Sequence, residues 1–326
     1  MQQQVKAHPW LTREERQALM EKSDRKAVLE LVHTWGWIAL AFALAGLWPN
    51  VLTVFLALWI LGGKQLACAI IMHDASHFAL FRSKQANDIA GRWLGAYPIF
   101  NSLDRYRPYH LEHHVNTGLP DDPDLLLTRG YPTSRKSMLR KFARDLFGLT
   151  GIKAFIGLMA MHLGYLEYNL GNRVRWTRPK GGGALLRNAW SKLSGPLAAN
   201  AILFGLLWLA GAPWLYLLWV GAYLTTFQVS LRVRSIAEHS VVEDTTDPLR
   251  NTRTTRANWL ERMLFAPHHV NYHVEHHMLM SVPPYNLPKM HRLLRARGFY
   301  EQGGLLARGG YPEILRLAAG GRTAEA

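Results

Sequence analysis

A single cysteine, Cys68, stands in 326 residues. That excludes an intrachain disulfide and any site built on several thiolates, such as a Cys-rich zinc site or a four-cysteine iron–sulfur cluster. Cys68 lies in an apolar run, where a lone thiol packs as a small hydrophobe. No G-x-G-x-x-G dinucleotide loop, His-Pro-Gly-Gly haem segment, heptad pattern, internal repeat or low-complexity tract occurs. Acidic residues are few, 23 against 38 basic ones, for a net charge of +15. The first 26 residues are polar and lack the apolar core of a cleavable signal peptide.

What is present is apolar sequence in long runs. Residues 28–48 and 51–72 are almost wholly apolar and are joined at Pro49-Asn50; residues 196–210 and 213–231 form a second pair. About 20 helical residues cross a ~30 Å hydrocarbon core, so each pair predicts a transmembrane hairpin. Lys64 interrupts the second run and is expected to make a polar contact inside the bundle. The stretch 152–166 is expected to be an amphipathic helix lying on the membrane. Thr12-Arg-Glu-Glu15 has the form of a capping box, which predicts a short helix starting there.

The position of the charge gives the orientation. Basic residues crowd residues 1–26, 73–195 and 232–326, while the hairpin tips at 49–50 and 210–213 carry none. Cytoplasmic segments accumulate Lys and Arg, so all three regions are expected on the cytoplasmic side. The charge then needs no nucleic acid to explain it. The expected fold is an all-α integral membrane protein with four transmembrane helices in two hairpins and a cytoplasmic helical cap. Its expected divisions are a cytoplasmic segment 1–27, a membrane domain 28–300 and a C-terminal tail 301–326, the last part of it disordered. A bacterial inner membrane is the expected location.

Fifteen histidines are present, and eight fall in three clusters: His73 and His77; His110, His113 and His114; His273, His276 and His277. Spacings of i, i+3 and i+4 put each set on one helical face. Neutral imidazole is the commonest protein metal ligand. The first cluster continues the second span past the membrane boundary. His239 follows the end of the fourth span by eight residues, about 12 Å along a helix, and adds a ninth candidate ligand. Nine imidazoles exceed what one ion takes, so two ions are implied.

The segments HDASH (73–77), HLEHH (110–114) and HVEHH (273–277) resemble the three histidine boxes of the membrane-bound fatty acid desaturase family. Asp122-Pro-Asp124 and Ser281-Val-Pro-Pro-Tyr-Asn-Leu287 look like that family's continuations of its second and third boxes. The resemblance runs from about residue 30 to about 295. It implies a non-haem di-iron centre held by the box histidines, with His239 matching the family's extra histidine. Such proteins often place a polar residue before that ligand, and Ser235 occupies one such position. Asp74, Glu112, Glu238, His269, Asn271 and Glu275 are candidates to hydrogen-bond the ligands. His268 is expected on a loop or at the surface. His8, His33, His162 and His291 stand alone and are expected to be structural or superficial. Arg105 and Arg107 are expected at lipid phosphates or an acidic headgroup.

The expected function is O2-dependent desaturation of a fatty-acyl or other lipid chain. The alternatives are a related hydroxylase or ketolase acting on a lipid or carotenoid, and, in another class, a metal carrier or sensor. With no haem, flavin-type or iron–sulfur motif in the chain, electrons are expected from a separate ferredoxin- or rubredoxin-type protein, drawn to the basic surface.

Overall fold

The computed structural model describes residues 9–171, 174–242, 244–247 and 249–320. The part of the tail beyond Gly320, together with His8, lies outside the described residues. Helix dominates. Helix α1, Arg13–Leu19, starts at the predicted capping box: the Thr12 hydroxyl accepts from the Glu15 amide, and the Glu15 carboxylate accepts from the Thr12 amide.

Helices α2 (Asp24–Leu47) and α3 (Val51–Ser76) form the first hairpin. The turn is sharp because Asn50 caps α3, its side-chain oxygen accepting from the amides of Leu52 and Thr53. At ~1.5 Å per residue α3 is about 39 Å long. It is therefore longer than a hydrocarbon core is thick, and the first histidine cluster stands at its C-terminal end. The Gly62-Gly63-Lys64-Gln65 interruption of its apolar run leaves the helix unbroken.

A short helix α4 (Lys84–Ala90) leads into one π-helical turn, Gly91–Ala96, and then α5 (Leu103–Asn116), which bears the second cluster. Helices α6 (Arg135–Leu146) and α7 (Leu149–Leu163) meet at 64°. Helix α8 (Gly182–Leu209) starts well before the apolar run that predicted it. Helices α2, α3 and α8 are each long and apolar enough to cross a membrane, and α6 with α7 would pass only as a bent pair.

The expected fourth span is not one helix. It divides into α9 (Leu215–Leu224) and α10 (Thr226–His239), broken at Thr225 with φ −120° and ψ −87°. Polar side chains satisfy the backbone there. The Thr225 hydroxyl donates to the Gly221 carbonyl, the Gln228 amide to that of Tyr223, and the Thr226 hydroxyl to Leu58 on α3. In an apolar setting an unpaired carbonyl is costly; Gln228 pairs the Tyr223 carbonyl, the Gly221 carbonyl also accepts from the Thr225 amide, and Thr226 ties the break to α3.

Beyond α10 the chain folds back over its end. Strand β1 (Thr254–Thr255) pairs in parallel with β2 (Leu306–Ala307). Between them run α11 (Trp259–Leu264), α12 (His273–Met278) and α13 (Leu287–Ala296). Residues expected to form a tail from 301 instead include β2 and α14 (Gly310–Ala318), whose Tyr311 and Ile314 pack with Ile236 and Val233 of α10. The periodic Tyr311, Ile314, Leu315 and Ala318 give α14 an apolar face, which is why it packs. Asp145 of α6 is fully buried against Arg232, tying α6 to α10.

Candidate metal centre

The three clusters and His239 come together in one buried place. His73, His77, His110, His114 and His276 bring ligand nitrogens within 4.8 Å of one another. His113, His239 and His277 form a second such group, and His239 and His273, their Nε2 atoms 2.7 Å apart, form a third with the carboxylate of Glu238. Ring centroids within the first group lie 4.4 to 6.3 Å apart, as for His73 with His110 and His110 with His276. Taken together through their shared His239, the second and third groups hold four imidazoles beside the first five.

Each set is oriented by its own element. His73 is in the last turn of α3, and its Nδ1 lies 2.7 Å from Asp74 Oδ1, which leaves Nε2 facing the other rings. His77 is the C-cap of α3 and not a helical residue. The open carbonyls at that helix end accept from Arg107, which donates to Ala75 and Ser76 at 3.1 Å and pairs with Asp88. On α5 the spacing puts His110, His113 and His114 on one buried face, where Tyr106 stacks on His110 at 5.0 Å. His113 Nδ1 lies 2.7 Å from Asp122, whose carboxylate also accepts from the amides of Gly118 and Asp124 and so fixes the loop after α5.

The short helix α12 has no side-chain cap and is held from its middle. Glu275, fully buried, accepts from the hydroxyls of Thr254 and Tyr300 and pairs with His291 Nδ1 at 2.6 Å. Asn271 donates to the Thr255 carbonyl and fixes the preceding turn. His239 ends α10. One turn earlier Arg234 pairs with Glu238, whose Oε2 lies 3.6 Å from His273 Nε2.

Several expected neighbours sit elsewhere. Glu112 is exposed, because it lies on the face of α5 opposite the histidines. The Ser235 hydroxyl donates back to Leu231 within its helix. Glu275 and Asn271 anchor the backbone and bond no box imidazole. His269 has a left-handed backbone, φ 59°, that turns it against Tyr272. His268 is buried and not superficial: Nδ1 meets Glu30 at 2.8 Å and Nε2 meets Thr34 at 2.9 Å. His291 supports Glu275, and His162 donates to the Phe100 carbonyl. Arg105 donates to the Met161 carbonyl and lies over Tyr168, so both arginines before the second box have partners within the protein. Arg107, Asp122, Tyr106 and Arg234 were not singled out for the site in the sequence, although Asp122 lies in the motif that follows the second box.

Burial first, and neighbouring charges next, chiefly imidazoles, hold His110, His114, His239, His273, His276 and His277 well below the ordinary histidine pKa. His77 is pushed down to about 3 by the same burial. For His113 burial acts against the proton, but the Asp122 hydrogen bond and the charges of Asp124 and Asp122 outweigh it and raise the pKa. Burial pushes Glu238 up to about 7, against the pull of Arg234. Neutral imidazoles are what a metal requires.

The fit to a metal can be judged on the ring nitrogens. Buried without a hydrogen-bond partner are His73 Nε2, both nitrogens of His77, His110 Nδ1, His114 Nδ1, His273 Nδ1 and His277 Nε2. A buried polar atom left unpaired costs ~1–3 kcal/mol. So many in one place, with like nitrogens only 2.7 to 3.1 Å apart, fit convergence on metal and not a hydrogen-bonded core. An all-imidazole donor set suits iron, zinc, copper or nickel.

Known proteins share this arrangement of sequence. The profile of the fatty acid desaturase family matches residues 45–308. The chain is 29% identical to dihydrorhizobitoxine desaturase of Bradyrhizobium elkanii, over 80% of this chain and 75% of that protein. It is 25% identical to the sn-1 oleoyl-lipid 12-desaturase of Synechocystis sp., over 73% of this chain and 67% of that one. With its apolar helices and a histidine cluster able to hold metal, the chain belongs to the fatty acid desaturase family and is an oxidoreductase.

Proposed function

We propose that His73, His77, His110, His113, His114, His239, His273, His276 and His277 hold two iron ions, and that the protein carries out O2-dependent desaturation of a lipid acyl chain. The observation that carries this reading is the convergence of nine imidazoles, eight buried and His239 half-buried, in a group of five and two smaller groups that share His239, around unpartnered nitrogens. When bound, the irons would supply the O2 activation needed to remove two hydrogens from an unactivated C–H pair. The protein's part is to position and to shield. Asp74 and Asp122 accept hydrogen bonds from Nδ1–H of His73 and His113 and so leave their Nε2 atoms free for metal. Burial of the eight box histidines, with His239 half-buried beside them, limits the access of water. The acyl chain would have to be held with its reacting carbons beside these rings.

In this reading α2, α3, α8 and the broken α9–α10 are four spans in two hairpins, and α7 lies on the membrane surface. The histidines and both termini are cytoplasmic, in a bacterial inner membrane. Residues 28–300 form the proposed membrane domain after segment 1–27, with β2 and α14 from residues 301–326 packed on it. Electrons would come from a separate ferredoxin- or rubredoxin-type protein that docks on the basic cytoplasmic face.

Expression in a desaturase-deficient host, with mass spectrometry of the lipids and iron analysis of the purified protein, tests the proposal. A lipid lighter by two hydrogens and two irons per chain are expected, with both lost in His276→Ala. A lipid heavier by one oxygen would replace desaturation with hydroxylation. Unchanged lipids with iron and a reductant present, or full activity in His276→Ala, would overturn the proposal.

A further inference from the structure

A cleft of about 330 Å³, lined by apolar and polar side chains, lies between α2, α3 and residues 259–269. Lys64 of α3 lines it and is 1% exposed. Nine residues along the same helix stands His73, about 14 Å further on. A buried ammonium has three donors and needs acceptors for them. Among the described residues Lys64 has no hydrogen bond and no ion pair; its Nζ stands 5.9 Å from the centre of the Trp37 ring.

The other polar groups do not answer it. The one carboxylate lining the cavity is Glu30, whose Oε2 is taken by His268. His268 is in turn completed by the Thr34 hydroxyl at its other nitrogen. His33 Nε2 accepts from the Trp37 indole at 3.1 Å, so in the neutral ring its Nδ1 carries a proton. Arg262, exposed on α11, also lines the cavity, and among the described residues it makes no ion pair. Lys64, Arg262 and His33 therefore offer donors, against one remaining oxygen of Glu30 and the unpartnered Nδ1 of His269. Two fixed cations face one carboxylate already engaged. The partner that balances this set brings acceptors and negative charge.

The walls indicate where that partner comes from. Leu29, Trp37 and Trp259 line the same cavity, and Leu29 and Trp259 are largely exposed on the outside of the molecule. Tryptophan beside exposed aliphatic residues marks a membrane interface.

We propose that this cavity binds the anionic group of an amphipathic lipid, a carboxylate or a phosphate, between Lys64 and Arg262, with its chain against Leu29, Trp37 and Trp259. The proposal rests on the cavity and is independent of the reaction at the histidines.

The test is equilibrium binding to the iron-loaded full chain in detergent micelles, with two probes, radiolabelled oleate and dioleoyl phosphatidic acid. Their neutral counterparts, methyl oleate and dioleoylglycerol, compete. Saturable binding of one probe per chain is expected, at least tenfold tighter than its neutral counterpart, and the tighter of the two identifies a carboxylate or a phosphate source. Lys64→Met, which conserves the stem, and Arg262→Gln are each expected to weaken binding tenfold or more without lowering the melting temperature. Arg262→Gln alone decides if Lys64→Met fails to fold. Equal binding of charged and neutral probes, no saturable binding, or parental affinity in the variants would overturn the proposal. Because the readout is binding, it stands or falls separately from desaturation.

Discussion

At the scale of single residues, the histidines were the most legible part of this chain. Their spacing is a local property, and helical geometry converts it directly into a shared face. The groups that hold them were harder to read. Glu112 and Glu275 occupy the same place in their boxes, yet one faces solvent and the other anchors β1, α13 and Tyr300. Nothing in three residues of spacing separates them; the difference is which neighbour covers that side of the helix. Asp122 is nine residues from His113 and reaches it only because the turn at Gly118 brings the chain back. Asp122→Asn would lose the carboxylate that orients His113 and keep the side-chain shape. Metal affinity is expected to fall about 10- to 100-fold, with the helix content unchanged. Iron retention during dialysis against graded chelator measures this, and parental retention would refute it.

At the scale of elements, the apolar runs located three of the long helices, and the broken one was missed. The signal was there in Thr225-Thr226-Phe227-Gln228, a polar interruption inside an apolar run. The run's length suggested a continuous span, whereas the polar side chains stabilise a break. Two close approaches brace it. A Cβ on Gly62 of α3 would stand 2.3 Å from the Thr226 hydroxyl, and one on Gly151 of α7 would stand 2.2 Å from the Leu224 carbonyl. Gly62→Val is therefore expected to force the break away from α3, at a cost of about 1–3 kcal/mol, and to misplace His239 at the far end of α10. A lower melting temperature in detergent together with reduced iron content is the expected result. Gly36→Ala, whose Cβ would meet nothing within 4 Å, serves as the control and should leave both unchanged.

At the scale of the whole molecule, the proposed topology rests on the charge distribution, while hydropathy bears only on the number of candidate spans. The bent pair α6–α7 shows the difference: its composition would permit a crossing, but a crossing there would put the third cluster across the membrane from the first two. Reporter fusions decide it. Phosphatase is expected to be active only at the tips, residues 49–50 and 210–213, and green fluorescent protein to be bright after residue 180 and at the C-terminus. An active phosphatase after residue 180 would refute the proposed topology. The five-and-four division also bears on when the protein can mature. The group of five includes His276, and the group of four includes His273 and His277, so neither is complete until the ribosome has passed residue 277. On the proposed ligand assignment, the first two clusters wait as unfilled half-sites while some 160 further residues are made and inserted. Metal capture is then a late step of biosynthesis, and a chain that stops short of α12 fills neither position.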